Sequence, residues 1–467
     1  MAGIHLGRKQ SFFMALDVGL IVLALAIAYV VRFRMADAAV LPKVFSEWTG
    51  ASVVVITVHL LAFYIFELYN LELDFRRVGN LLRCVGAVAA AALVVVLVSF
   101  LAPRWGFGRG MFGLHAVSLA AFTCASRALG SRVWEKREPP KKALLVSAQA
   151  VSDEVLKELA TNLESELHLV GTVPVNNAPE RPSSALRANT PPPLGTLRDL
   201  EKTLRERKIR DILVAGIDAL PIDAGRELLR LKLSGFEVHD LAVLFQRLAG
   251  RLPLEHLNDA YFLREPAFTQ DTRPVLSNFF RVMDVLVAAG LLVASSPLWA
   301  LAFVGIKLTM PGPVLYSQER VGKDERPYTI FKFRSMVLDA ERGGAQWSLP
   351  GDPRVTPFGR FLRRTRIDEL PQLWNVLRGD MSLVGPRPER EVFVARLKQE
   401  VPYYALRFAI KPGLTGWAQV CYRYGASTDD ARIKLSYDLY YVQERSVLLF
   451  VVILLKTVQT VLFKPGS

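Results

Sequence analysis

Apolar residues in this chain follow three patterns, and each predicts a different kind of element. In the first third they form long runs, at about 12–31, 51–68, 84–102 and 110–126. Runs near twenty residues predict helices able to cross a bilayer. The second carries His59 and Glu67; the fourth carries His115 and is bounded by Arg109 and Arg127. Four such runs in succession argue against buried helices of a water-soluble core. From 141 to 250 the pattern becomes short apolar runs alternating with charged, periodic segments. Residues 143–147, 169–173, 212–215 and 236–239 predict strands, and 150–163, 196–208 and 222–233 predict helices. A Pro/Asn/Ser-rich loop at 174–195, including Pro191-Pro192-Pro193, interrupts them. This alternation predicts a small doubly wound α/β domain. Residues 251–275 read as a linker, and 282–306 are apolar again between Arg281 and Lys307. The last apolar stretch, 447–463, contains Lys456 and Gln459 and predicts an interfacial helix.

Basic residues in the short loops set an orientation. Arg8, Lys9, Arg76, Arg77, Arg83, Arg132, Lys136, Arg137, Lys141 and Lys142 fall on one side. Arg32, Arg34, Lys43 and Arg104 fall on the other, with Arg109 at the boundary. The bias puts the N-terminus, and everything after residue 130, in the cytoplasm. No small-residue cleavage site follows the first run, so it reads as a span and not as a removed leader. A full crossing by 285–306 would carry the arginine-rich 307–446 outside, against that bias. Ser295-Ser296-Pro297 stands in the middle of the run. Proline removes an intrahelical hydrogen bond, and serine can satisfy a freed carbonyl. A helix broken at Ser296 and Pro297 can enter the membrane and return on the same face, or cross it kinked.

Length, composition and charge narrow the setting. A chain of 467 residues suggests two to four units. Hydrophobic content of 51% leans towards a membrane protein, while 22% charged residues requires water-exposed parts. The net charge of +14 suits anionic lipid headgroups, phosphate-bearing substrates or nucleic acid. Cys84, Cys124 and Cys421 are far apart and form no CxxC pair, and the six histidines are scattered. Zinc, disulfide and histidine-metal readings are therefore poor, and inert thiols in a reducing setting fit better. The first strand of the α/β domain runs into Ser147-Ala-Gln-Ala-Val-Ser152, a turn without glycine. Its backbone could not approach a dinucleotide pyrophosphate in the usual way, so this domain reads as structural or regulatory.

Candidate chemistry gathers after the broken segment. Lys332 and Arg334 have the i, i+2 spacing that puts two side chains on one face of a strand, where they could hold a diphosphate. Asp368 and Glu369 follow Arg360, Arg363, Arg364 and Arg366. Adjacent on a helix they would point about 100° apart and need not share a role. Arginines around a carboxylate favour its anionic form, which serves as a nucleophile on phosphorus or an Mg²⁺ ligand. Acids answering the dipole of a helix that starts near Pro371 are the plainer reading. Arg387 lies between Pro386 and Pro388, which suits a guanidinium fixed for bidentate phosphate binding.

Seven motifs stand in one order from about 276 to 463: Ser296-Pro297, Met310-Pro-Gly-Pro-Val314, Lys332-Phe-Arg-Ser-Met336, Asp352-Pro-Arg-Val-Thr356, Asp368-Glu-Leu-Pro-Gln372, Gly379-Asp-Met-Ser-Leu-Val-Gly-Pro-Arg-Pro388 and Lys411-Pro-Gly-Leu-Thr-Gly-Trp417. This stretch resembles the bacterial sugar transferases, the polyprenyl-phosphate hexose-1-phosphate transferases. The four spans and the α/β domain resemble the long-form members, although the glycine-free turn departs from many of them. The resemblance implies four units: a transmembrane region at 1–135, an α/β domain at 141–250, a linker at 251–275 and an α-rich, membrane-associated catalytic domain at 276–467. It implies a re-entrant helix at about 282–306, and transfer of a sugar-1-phosphate from a UDP-sugar to undecaprenyl phosphate, with Mg²⁺. The setting would be the cytoplasmic face of a bacterial inner membrane, early in exopolysaccharide, capsule or O-antigen synthesis. By analogy Asp368 would be the nucleophile and Glu369 its partner, both near the metal, with Arg363 and Arg387 on phosphates. A homodimer is a further expectation, and nucleic acid is not expected as a partner. Direct transfer in a ternary complex, with the carboxylates only binding metal, and a non-catalytic scaffold are the competing readings. Loss of Asp368, Arg387 or Lys332 would favour the scaffold, and all three are present.

Overall fold

The computed structural model describes residues 8–33, 41–69, 75, 78–101, 109–133, 141–148, 151–152, 155–157, 167–175, 194–268, 274–340, 344, 352–422, 425 and 427–463. They divide into two compact units, one holding the chain up to Val133 and the end of the last helix from Leu455, the other running from Lys141 to Leu454.

In the first unit the long apolar runs are helices: α1 (Arg8–Phe33), α2 (Leu41–Ile65), α3 (Val78–Leu101) and α4 (Arg109–Val133). Gln10–Val31, Asn80–Ser99 and Met111–Gly130 are long and apolar enough to cross a membrane. Within α2 the apolar part is the shorter Ala51–Ile65. Arg34, Arg76, Arg77, Arg104, Lys136 and Arg137, which carry much of the orientation bias, lie outside the described residues, as do Pro191 to Pro193.

An ion pair is buried among these helices. Arg127 Nη2 lies 2.6 Å from Asp17 Oδ2, and the side chains are 2% and 0% exposed. Arg127 Nε–H also donates to the Leu68 carbonyl at 3.1 Å, and its guanidinium sits 4.4 Å from the Phe13 ring. Two charges without water need each other, and the pair fixes the register of α1 on α4.

The second unit begins with a sheet of order β2-β1-β3-β4, all parallel: β1 (Lys141–Ser147), β2 (Leu167–Pro174), β3 (Asp211–Ala215) and β4 (Glu237–Asp240). Strands buried on both faces read as continuous apolar runs. Ala143, Leu145, Leu213 and Ala215 enter one core, while Leu144, Val146, Ile212 and Val214 enter the other. Helices α5 (Leu200–Glu206) and α6 (Ile222–Leu233) supply Leu204 and Leu228 to the second core, and α7 (Leu241–Ala249) supplies Phe245 to the first. The doubly wound expectation thus matches the sheet.

The stretch read as a linker has structure of its own. It contains α8 (Asp259–Arg264), and Leu252 and Phe262 join a core with Val394, Leu397 and Leu435. After it come α9 (Pro274–Ala294) and α10 (Ser296–Thr309), separated at Ser295 with Pro297 in the first turn of α10. The break therefore falls where the Ser-Ser-Pro sequence placed it. Leu276–Ala294 alone is long and apolar enough to span, and Ser296–Thr309 is shorter. A hairpin of β5 (Leu315–Val321) and β6 (Pro327–Phe333) follows, then α11 (Pro357–Arg364), α12 (Gln372–Arg378), β7 (Ser382–Val384), α13 (Glu391–Glu400), β8 (Gly413–Thr415), α14 (Trp417–Cys421), α15 (Thr428–Glu444) and α16 (Val447–Phe463). Phe280 and Ala288 of α9 pack with Leu373, Leu383, Tyr441 and Phe450, which joins the apolar segment to the rest of this fold.

Removing one partner of a buried ion pair costs roughly 3–5 kcal/mol, whereas replacing both by apolar groups is often neutral. Arg127→Met should therefore lower the thermal unfolding temperature of the detergent-solubilised protein markedly, and Asp17→Leu with Arg127→Met should recover most of the loss.

Candidate active site

Three local devices bring the site together. Thr356 caps α11, its hydroxyl accepting the Gly359 N–H at 3.0 Å. Gly359 lies so close to the Ser335 backbone that no side chain would fit there. The end of β6 is thus laid against the start of α11. Two residues beyond α11, Arg366 takes the left-handed conformation (φ 59°, ψ 15°) and turns the chain sharply. Asp368 and Glu369 then fall on a 3₁₀ turn, Ile367–Glu369, between α11 and α12. They stand just before the helix that starts at Gln372, and neither lies in its first turn.

The two carboxylates have different surroundings. Glu369 is held by cations from three segments. Arg387 Nη2 donates to its Oε1 at 3.1 Å, Lys332 Nζ lies 3.6 Å from the same oxygen, and Arg366 Nη1 lies 3.6 Å from Oε2. Burial alone would raise its pKa, but Arg387, Lys332 and Arg366 outweigh it and hold the carboxyl well below the ordinary glutamate value. Asp368 is buried at 7% exposure, and its Oδ1 has no hydrogen-bond partner. Burial, and then the charge of Glu369, push its pKa up, against the pull of Lys332, Arg363 and Arg366. The cations therefore lower the pKa of Glu369 only, and that of Asp368 rises despite them. They secure Glu369, and Asp368 carries the cost of being its buried neighbour.

The other candidates separate. Lys332 and Arg387 reach the site directly. Arg363 Nε–H donates to Ser335 Oγ at 2.9 Å, and its charge acts on Asp368. Arg334 does not join Lys332. The strand ends at Phe333, so the two-residue alternation stops there. Arg334 is buried and donates to the Met310 carbonyl at 2.8 Å, closing the end of α10. Arg366 was missed as a site residue, although its i, i+3 spacing to Glu369 is a legible pairing signal.

A divalent cation fits one half of this arrangement. Hard cations take bare carboxylate oxygens, and Asp368 Oδ1 is such an atom. Both Glu369 oxygens already face cations, which makes Glu369 the poorer metal ligand. Among the described residues the histidine-carboxylate grouping with ligand spacing is Asp211, Glu237 and His239, on the α/β sheet.

Comparison with known proteins agrees with this part of the chain. The family model described as bacterial sugar transferase matches residues 276–464. The UDP-glucose:undecaprenyl-phosphate glucose-1-phosphate transferase of Caulobacter vibrioides is 44% identical over 184 residues, 39% of this chain and 69% of that relative. The chain belongs to the bacterial sugar transferase family. Identity is 42% over 259 residues to the UDP-N-acetylgalactosamine-undecaprenyl-phosphate N-acetylgalactosaminephosphotransferase of Aeromonas hydrophila, covering 55% of this chain and 60% of the relative. It is 41% over 170 residues, 36% of either chain, to the UDP-glucose:undecaprenyl-phosphate glucose-1-phosphate transferase of Escherichia coli. The chain thus spans little more than a third to under two thirds of these last two relatives.

A second family model, described as a CoA-binding domain, matches residues 64–245. The α/β domain does have a crevice at the carboxyl ends of β3 and β4, where such folds bind ligands. Its lining does not fit a polyanion. Asp218 and Asp240 are its acidic residues, and no lysine or arginine is among its described lining residues. Asp240 Oδ1 accepts the Ala242 N–H at 2.8 Å, so the chain's own carboxylate occupies the N-terminus of α7. Together with the glycine-free turn, this disfavours a pyrophosphate.

Glu369→Gln would leave three cations without their counter-charge. The variant should melt well below wild type, by the equivalent of a few kcal/mol. Inorganic phosphate should raise its unfolding temperature more than that of wild type, because an anion bound only by the folded state stabilises it. Thermal scans with and without phosphate check both.

Proposed function

We propose that this protein transfers a sugar-1-phosphate from a UDP-sugar to undecaprenyl phosphate and releases UMP. The observation that carries the reading is the asymmetry of the pair: a buried aspartate oxygen without a partner, beside a glutamate fixed by three cations. The names of the relatives support the substrate classes.

Asp368 is the nucleophile. Its bare oxygen attacks the sugar-linked phosphorus, the bond to the UMP oxygen breaks, and an acyl-phosphate forms. Undecaprenyl phosphate then attacks the same phosphorus and frees the carboxylate. One phosphoanhydride is exchanged for another, so the reaction is close to balanced and reversible. Arg387 and Lys332, which both contact Glu369, meet the phosphate oxygens in this reading, and Arg363 holds positive charge beside Asp368. Mg²⁺ held near Asp368 would offset charge on the phosphates.

The apolar α9 and α10, broken at Ser295, read as a re-entrant segment that keeps the site on the cytoplasmic face of the inner membrane. The basic loop residues support that orientation. Use of a lipid-linked acceptor suits the first membrane step of exopolysaccharide, capsule or O-antigen assembly, and the chain works as a homodimer.

Asp368→Asn should lose at least three orders of magnitude in turnover, as removal of an activated nucleophile does. Retention of a tenth of wild-type turnover would exclude the role. Labelled UMP should exchange into UDP-sugar without lipid acceptor. Exchange that needs the acceptor would point instead to direct transfer in a ternary complex.

A further inference from the structure

The Pro386-Arg387-Pro388 turn is held by its carbonyls. Gly413 N–H donates to Pro386 O at 2.9 Å, and Val321 N–H donates to Glu389 O at 3.0 Å. Arg320 Nη1 donates to Pro388 O at 3.2 Å. The remaining carbonyl, that of Arg387 itself, accepts from Arg407 Nη2 at 3.0 Å. Arg407 is buried and pairs through the same nitrogen with Asp438 Oδ2 at 2.7 Å, with side-chain exposures of 6% and 3%. Two proline rings limit the turn's backbone, and a buried ion pair sets where its arginine stands.

Asp438 belongs to α15, and the same helix is gripped by the α/β domain and the segment after it. The Leu252 N–H donates to Ser436 O at 3.1 Å, two residues from Asp438. Gln246 Nε2 donates to Glu444 Oε1 at 3.1 Å, and Tyr261 OH donates to Gln443 Oε1 at 2.9 Å. The Arg251 guanidinium lies 5.8 Å from the Tyr437 ring. Nearby, Trp417 stacks on Tyr440 and donates from Nε1 to Gly250 O at 2.6 Å. One helix thus bears on the active-site turn through Asp438 and Arg407, on the α/β domain through Gln246, and on the segment after that domain through Leu252, Arg251 and Tyr261.

We propose that Arg407 is a positioning residue for Arg387, and that the α/β domain, acting through α15, sets how firmly Arg387 is held against phosphate. This rests on the transferase reading and assigns the α/β domain a part in the same site. It also accounts for a crevice that is unsuited to phosphate: the domain's contribution is the contact it makes, with no nucleotide required.

A double-mutant cycle in the full-length protein tests it. Asp438→Asn and, separately, Gln246→Ala with Tyr261→Phe are made in wild-type and Arg387→Ala backgrounds. Transfer is assayed at high enzyme concentration, and folding is checked by thermal unfolding. Asp438→Asn should lower kcat/KM about tenfold and the Gln246/Tyr261 pair about threefold in the wild-type background, with less than a twofold further loss once Arg387 is gone. Arg407→Lys should retain more activity than Arg407→Leu. Equal losses in both backgrounds would mean these residues only hold the fold, and would overturn the proposal. If wild type transfers no sugar phosphate, the transferase reading fails. The same cycle is then read in UMP affinity by calorimetry, where additive losses again overturn the positioning role.

Discussion

The site depends on one buried carboxylate. Glu369 sits where water is scarce, and such a charge is tolerated only when opposite charges and hydrogen bonds replace its hydration. Lys332 comes from the hairpin, Arg366 from the left-handed corner and Arg387 from the proline-flanked turn. Satisfying Glu369 therefore requires all three segments to meet. The division of labour follows from the same arrangement. Two adjacent buried acids cannot both ionise freely, and the one that gathers the cations stays charged. Its neighbour retains a bare oxygen and a raised pKa, which suits the nucleophile role proposed for it.

The backbone around this carboxylate is as constrained as its charges. Arg366 adopts a conformation that costs a non-glycine residue about 1 kcal/mol or more. The corner turns Asp368 and Glu369 inward, and the Arg366–Glu369 contact offsets part of that cost. Gly359 permits the close approach to Ser335, whose hydroxyl in turn receives Arg363. Arg334 donates from Nη2 to the Met310 carbonyl, just past the end of α10. Arg334, Gly359, Arg363 and Arg366 thus join the apolar segment, the hairpin and the carboxylate turn.

Much of this was legible in the sequence, for reasons that separate cleanly. Long apolar runs and strand-helix alternation are local signals, so the first four helices and the parallel sheet could be placed, and Ser295-Ser296-Pro297 marked a break. Asp368, Glu369, Lys332 and Arg387 could be named as a set from their motifs. Which cation faces which acid could not, because it depends on where β6 ends and on the sign of one φ angle. Arg334 looked equivalent to Lys332 only while the strand was assumed to continue. Residues 251–275 lack the periodicity of a long helix and so read as a linker, yet Leu252 and Phe262 are core residues. Arg407 and Asp438 are 31 positions apart, and nothing local in either marks the pairing.

An apolar segment joined to a cluster of charged side chains raises its own problem, since the two call for different surroundings. The structure meets it at the foot of α9. Asp284, buried on that helix, accepts the Leu383 N–H at 2.8 Å and the Ser382 hydroxyl at 3.1 Å. Arg281, one turn earlier, donates to the carbonyls of Val376 and Leu377 at 2.6 Å each. These groups face the catalytic fold, while Val282, Leu286 and Val293 on the same helix remain exposed. One face of α9 is thus tied to the fold by directional polar bonds, and the other offers aliphatic surface suited to lipid. Because β7, which receives Asp284, runs directly into the turn bearing Arg387, the anchoring of that helix and the position of Arg387 are set within a few residues of each other. The seating of the apolar helix and the arrangement of the candidate site are therefore coupled through β7.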